Sequence, residues 1–143
     1  MVTAVEALGR LRAGNTRFVA QSRGAGGAPE GSRRLAQEQE PFAIILGCSD
    51  ARVPAEIVFD QGLGDLFVIR VAGNIVAPSQ IGSVEFAAEQ FRTRLVVILG
   101  HSQCGGVTAT LEELRNPSDS AHRWRSRSAA SARIGAAAEG HRH

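Results

Sequence analysis

The chain has 143 residues, of which 43% are hydrophobic, so it can bury the core of one domain. All 16 basic residues are arginine, set against 14 acidic ones; the surplus gathers in the last thirty residues without aromatic interleaving or a known motif, which argues against nucleic acid as a partner. No apolar run approaches the roughly 18 residues of a membrane span, and residues 1–20 lack the pattern of a secretory leader, so the two cysteines point to a reducing, cytoplasmic setting rather than to a disulfide.

Residues 3–19 read as an amphipathic helix. Val5, Leu8, Leu11 and Phe18 recur near helical spacing, Thr3 and Glu6 fit a capping box, and Gly14-Asn15 is expected to break or kink the run. Residues 21–32 read as a loop, and 32–40 as a short polar helix. Residues 42–47 form a continuous apolar run, the pattern of a strand buried on both faces. Pro54 opens a short helix to Phe59, and 66–71 is a second strand. Residues 72–78 are loop, and Gln80 to Thr93 is a helix with Ile81, Val84, Phe86, Ala87, Ala88 and Phe91 on its apolar side. Residues 95–99 repeat the buried-strand pattern, and Gly105-Gly106 opens a last helix that Asn116-Pro117 ends. Strands alternating with helices predict an α/β fold, a parallel sheet flanked by helices, with the helix over 3–19 at the N-terminus.

The chemistry gathers at two strand ends. The first strand runs into Cys48-Ser49-Asp50-Ala51-Arg52, and the third into His101-Ser102-Gln103-Cys104-Gly105-Gly106. Adjacent parallel strands would bring Cys48, His101 and Cys104 together, although Cys48 and His101 stand 53 positions apart (101 − 48). Two thiolates and one imidazole suit zinc, and three protein ligands leave a fourth position for a water, whose pKa zinc lowers to about 7. Asp50 lies close enough to meet that water, and Arg52 can hold Asp50 by a bidentate pair. Spacing alone does not separate this from two ordinary buried thiols, a strand-end histidine and a loop salt bridge. A phosphatase loop is excluded, because the positions that would need arginine are Pro54 and Thr110. The G-x-G at 62–64 is a poor dinucleotide fingerprint.

Taken together, Cys48-Ser49-Asp50-Ala51-Arg52 and His101-Ser102-Gln103-Cys104-Gly105-Gly106 resemble the β-class carbonic anhydrases, whose signature pairs C-[ST]-D-[SA]-R with a later H-x-x-C-G-G. Gly14-Asn15-Thr16-Arg17-Phe18, the run from Gly64 to Arg70, and Ala72-Gly73-Asn74 match as well, so that the resemblance covers roughly residues 5–115. It implies zinc on Cys48, His101 and Cys104, with Asp50 and Arg52 as the catalytic dyad. The implied reaction is reversible hydration of carbon dioxide to bicarbonate and a proton. The resemblance also implies a site at the interface of a homodimer or larger oligomer, with the N-terminal arm crossing to the partner. One subgroup of the family holds inhibitory bicarbonate with a tryptophan, an arginine and a tyrosine; the matching positions here are Ile45, Arg70 and Phe86, so that pocket is not expected. Gln61 matches the glutamine that, in the other subgroup, contacts substrate in the neighbouring subunit's site. An open site, with Asp50 paired to Arg52, is therefore expected.

The resemblance stops near Asn116. Residues 117–143 are rich in Arg, Ser, Ala and His, and we expect a disordered tail set apart from a zinc domain at 1–116. Their bias resembles translation of GC-rich DNA in a wrong frame; a shortened natural paralogue is the alternative. Two further readings follow from the missing family segment and the shared metal chemistry. One is a zinc-binding but silent dimerisation module, the other a hydrolase of a sulfur analogue of carbon dioxide.

Overall fold

Ala43–Gly47 (β1) is the centre of the molecule. It is buried along its whole length, as its unbroken apolar run requires. The computed structural model describes residues 1–20 and 39–116, so the loop and short helix expected over 21–38, and the expected tail, lie outside the described residues. The chain divides into two compact units, Met1–His101 and Ser102–His143.

In the first unit the elements run α1 (Ala4–Val19), β1, α2 (Ala55–Val58), β2 (Leu66–Arg70), a 3-10 turn (Ala72–Asn74), α3 (Pro78–Gln90) and β3 (Val96–Leu99). The sheet is parallel, with order β2-β1-β3. On one face Ala43 and Ile45 of β1 join Leu66, Ala55 of α2, and Ala7 and Leu11 of α1 in one core, with Val68, Val97 and Leu99 packed against it. The other face is met by α3, where Phe67 of β2 packs its ring against Phe86 and Phe91. Ile44 and Ile45 lie side by side in β1, point to opposite faces and are both fully buried. Each such side chain stabilises the fold by about 1.5–3 kcal/mol relative to exposure.

Two expectations are corrected here. β3 does not repeat the two-faced burial of β1: it is an edge strand whose Val96 and Ile98 are 46% and 64% exposed. These two share the α3 face with Ile44 and Leu46, but α3 packs over β1 and β2. Helix α1 runs unbroken through Gly14-Asn15. Thr3 caps it by accepting from the Glu6 N–H, whereas Glu6 turns to Arg10. The buried stripe is Ala7, Leu11 and Gly14, and Val5 is exposed. Ala7 and Leu11 of this stripe join the core on one face of the sheet.

Gly14 and Asn15 are the docking point of α1 rather than a break. The Asn15 amide donates to the Val58 carbonyl at 2.9 Å, and Arg17 pairs with Asp60. A Cβ on Gly14 would stand 1.7 Å from the Phe59 carbonyl oxygen.

In the second unit the described residues form α4 (Gly105–Arg115), preceded by Cys104. Val107, Leu111 and Leu114 are exposed, and the Thr110 hydroxyl donates to the Gly106 carbonyl. Among the described residues no helix is long and apolar enough to cross a membrane.

Gly14→Ala tests the dock. Helix propensity alone favours alanine by up to about 1 kcal/mol, but the added methyl meets backbone, which cannot swing away. We expect a net loss of about 1–3 kcal/mol in a denaturant titration. Gly9→Ala, with nothing within 4 Å of the new Cβ, is the control and should hold or raise stability. Equal stability for the two variants would show that α1 does not dock at Gly14.

Candidate metal centre

Parallel register brings the strand ends level. Gly47 pairs with Arg70 on one side and with Leu99 on the other, so Cys48 leaves β1 beside the point where β3 leads through Gly100 to His101. Sheet order places β1 and β3 at the point where the chain changes sides, having gone first to β2 and then across β1 to β3. Crevices at such switch points, beyond the carboxyl ends of the strands, are where open α/β sheets bind ligands.

Cys48 and Cys104 are buried, and the His101 side chain is almost so. One ligand atom from each of the three lies within 4.8 Å of the others, and the group could hold a metal ion. Cys104 reaches this position locally, only three residues after His101, with Gln103 between them in a left-handed conformation (φ 54°).

Asp50 lies next to the group, with its Oδ2 3.9 Å from His101 Nε2. The pair with Arg52 expected from spacing is present. Arg52 Nε and backbone N–H both donate to Asp50 Oδ1 at 2.9 Å, and Arg52 Nη2 donates to Oδ2 at 2.8 Å. The hydrogen bonds from the Arg52 side chain, and then from its backbone N–H, hold the Asp50 carboxyl well below the usual carboxylate range. The sign follows: a depressed carboxylate favours the folded state above its ordinary pKa near 4, and that contribution fades only as pH falls through its folded value.

Three residues that motif reasoning left as loop or strand ends hold this arrangement together. Arg70 Nε donates to the Cys48 carbonyl at 3.0 Å, and its Nη2 to the Asp50 carbonyl at 2.7 Å. The Gly73 N–H, in a turn with φ 71°, points at Cys48 Sγ at 3.4 Å. The Asn74 amide, also left-handed (φ 56°), donates to the Leu99 carbonyl. Their signal in the sequence is the pair of family matches, Gly64 to Arg70 and Ala72-Gly73-Asn74. Gln61 is elsewhere: its amide donates to the Phe59 carbonyl at 2.7 Å, beside Gly14, rather than to the Cys48 loop. Ile45 is wholly buried in β1, and the Arg70 guanidinium is turned to backbone carbonyls.

Arg52→Ala should let the Asp50 carboxyl rise to about 4, measurable by NMR titration. At neutral pH it would remain ionised, so the substitution removes aim and not charge. A carboxyl that still titrates far below this range in the variant would show that Arg52 is not the cause.

A family model described as carbonic anhydrase matches residues 43–142, which carries the match past Asn116. A carbonic anhydrase of Mycolicibacterium smegmatis is 48% identical over 105 residues, covering 73% of this chain and 51% of the relative. Carbonic anhydrase 2 of Mycobacterium tuberculosis is 43% identical over 113 residues, covering 74% and 52%. Among solved structures, a tetrameric β-carbonic anhydrase of Sordaria macrospora superposes with a TM-score of 0.54 at 31% identity, covering 73% of this chain and 52% of that one. The chain spans about half the length of the curated relatives it matches. With the motifs, the parallel sheet and the Cys-His-Cys group in agreement with these matches, the chain belongs to the β-class carbonic anhydrase family.

Proposed function

We propose that this chain carries the zinc centre and the catalytic dyad of a β-class carbonic anhydrase, and that it hydrates carbon dioxide reversibly to bicarbonate and a proton. The observation that carries the reading is one cluster: Cys48, His101 and Cys104 converge within 4.8 Å, with the Asp50–Arg52 pair beside them. Two sulfurs and an imidazole are a soft, borderline donor set that favours zinc over calcium or magnesium, and three protein ligands leave a fourth position open. Zinc held by Cys48, His101 and Cys104 would supply hydroxide at neutral pH. Asp50, kept ionised, accepts a proton at the oxygen nearer His101. Arg52 grips both carboxylate oxygens and so fixes the aim of Asp50.

Gln61 is assigned to substrate contact across a subunit boundary, a role supported by the family resemblance. The assembly is a homodimer or larger; the tetrameric relative and the exposed apolar Val96 and Ile98 support this. The two thiols suit a reducing compartment, and the cytoplasm is the setting we assign. Residues 1–116 form the zinc domain in this reading, and 117–143 a tail.

Metal analysis and a carbon dioxide hydration assay on one sample test the reading. Cys48→Ala, His101→Ala and Cys104→Ala should each lose most of the zinc, since two remaining ligands hold it poorly. Retention of zinc by all three variants would sink the metal assignment. Zinc without turnover in the unsubstituted chain would sink the activity.

Arg52→Ala should keep zinc but lose turnover by about 10²-fold or more, the scale of a misplaced acid–base group. Because Asp50 stays ionised in that variant, raising the pH from 7 to 9 should not close the gap to the unsubstituted chain measured at the same pH. Recovery at high pH would mean that charge, not aim, was lost.

A further inference from the structure

Arg70 is the last residue of β2 and lies on the surface, where an arginine ordinarily waves in solvent. Here its guanidinium spans two carbonyls two residues apart, those of Cys48 and Asp50. Between these carbonyls sits Ser49, so one planar fork fixes the segment that carries both a metal-ligand candidate and the dyad carboxylate. The backbone of this loop has left the sheet ladder, whose last bond on this side is Val71 N–H to the Gly47 carbonyl. Past that point, Arg70 takes over the role of the ladder.

We propose that Arg70 is a positioning residue, which sets the separation and aim of Cys48 and Asp50 by clamping the loop between them. This rests on the carbonic anhydrase reading of the same site. It gives the arginine a task that needs no inhibitory anion pocket, and so explains its presence where Ile45 and Phe86 offer no such pocket. The clamp depends on shape as well as charge. A guanidinium presents parallel donors in a rigid plane, whereas a lysine ammonium is a point charge on a flexible stem that would satisfy one carbonyl at a time.

The test compares the unsubstituted chain with Arg70→Ala and Arg70→Lys. Zinc affinity, read by competition with a chromogenic chelator, should weaken 10- to 100-fold in Arg70→Ala, the usual cost of removing a group that orients a ligand. Arg70→Lys should recover only part of this, although it keeps the charge. In hydration kinetics kcat should fall while KM changes little, because Asp50 loses its aim and substrate binding is untouched. In the zinc-free protein, alkylation at Cys48, located by mass spectrometry, should be faster in Arg70→Ala. Full rescue by lysine would overturn the clamp in favour of simple charge. A variant with unchanged zinc affinity and unchanged Cys48 alkylation, even if it melts at a lower temperature, would show Arg70 to be merely structural. Absence of zinc from the unsubstituted chain would count against the carbonic anhydrase reading; the alkylation arm would still decide for or against the clamp.

Discussion

Everything in this molecule depends on the register of three parallel strands. Gly47, Arg70 and Leu99 sit level across the sheet. That alignment, and nothing local, turns 53 positions of sequence into the neighbourhood of Cys48 and His101. A parallel ladder admits no small adjustment here. A slip of one residue would turn every side chain of the moved strand to the opposite face. Because Ile44 and Ile45 are fully buried on opposite faces of β1, such a slip would misplace apolar groups on both sides at once. The burial of β1 therefore fixes the geometry of the site as well as the stability of the fold.

The two flanking strands are treated unequally. β2 has α3 and its aromatic cluster on one face and the α1 core on the other. β3 is only partly buried, through Val97 and Leu99, and shows Val96 and Ile98 to the outside. An edge strand with an apolar face invites association. His101 follows that strand, so whatever covers β3 also bears on the position of His101. The Asn74 amide on the Leu99 carbonyl ties the end of β3 to the turn that follows β2.

Elements with strong periodicity were legible in the sequence. The three strands, both longer helices of the first unit and the last helix fall where pattern puts them, within a few residues. The Asp50–Arg52 pair was legible too, because a contact across two residues is local chemistry. What was not legible depends on partners distant in sequence. Gly14-Asn15 reads as a helix breaker by propensity, yet the helix continues because Val58 to Asp60 receive it. Val96 and Ile98 read as core because apolarity does not reveal whether a strand lies at the edge. Arg70, Gly73 and Asn74 act through backbone carbonyls and a sulfur 20 to 25 positions away. No spacing rule announces such contacts, which leave their trace only as family motifs.

The restraints on the site also fall into two kinds, and the division has a consequence. Asp50 is aimed by Arg52 through three hydrogen bonds, while the backbone beneath it is gripped by Arg70. All of these bonds lie within the protein, so the carboxylate is held by groups of its own chain. A group held in this way need not reorganise during reaction, which preserves its electrostatic effect. The Cys48 sulfur is restrained the same way, by the Gly73 N–H and by its own carbonyl on Arg70. Cys104 is joined to His101 by a three-residue step that passes through Gln103, whose φ of 54° is a left-handed conformation that few residues other than glycine adopt.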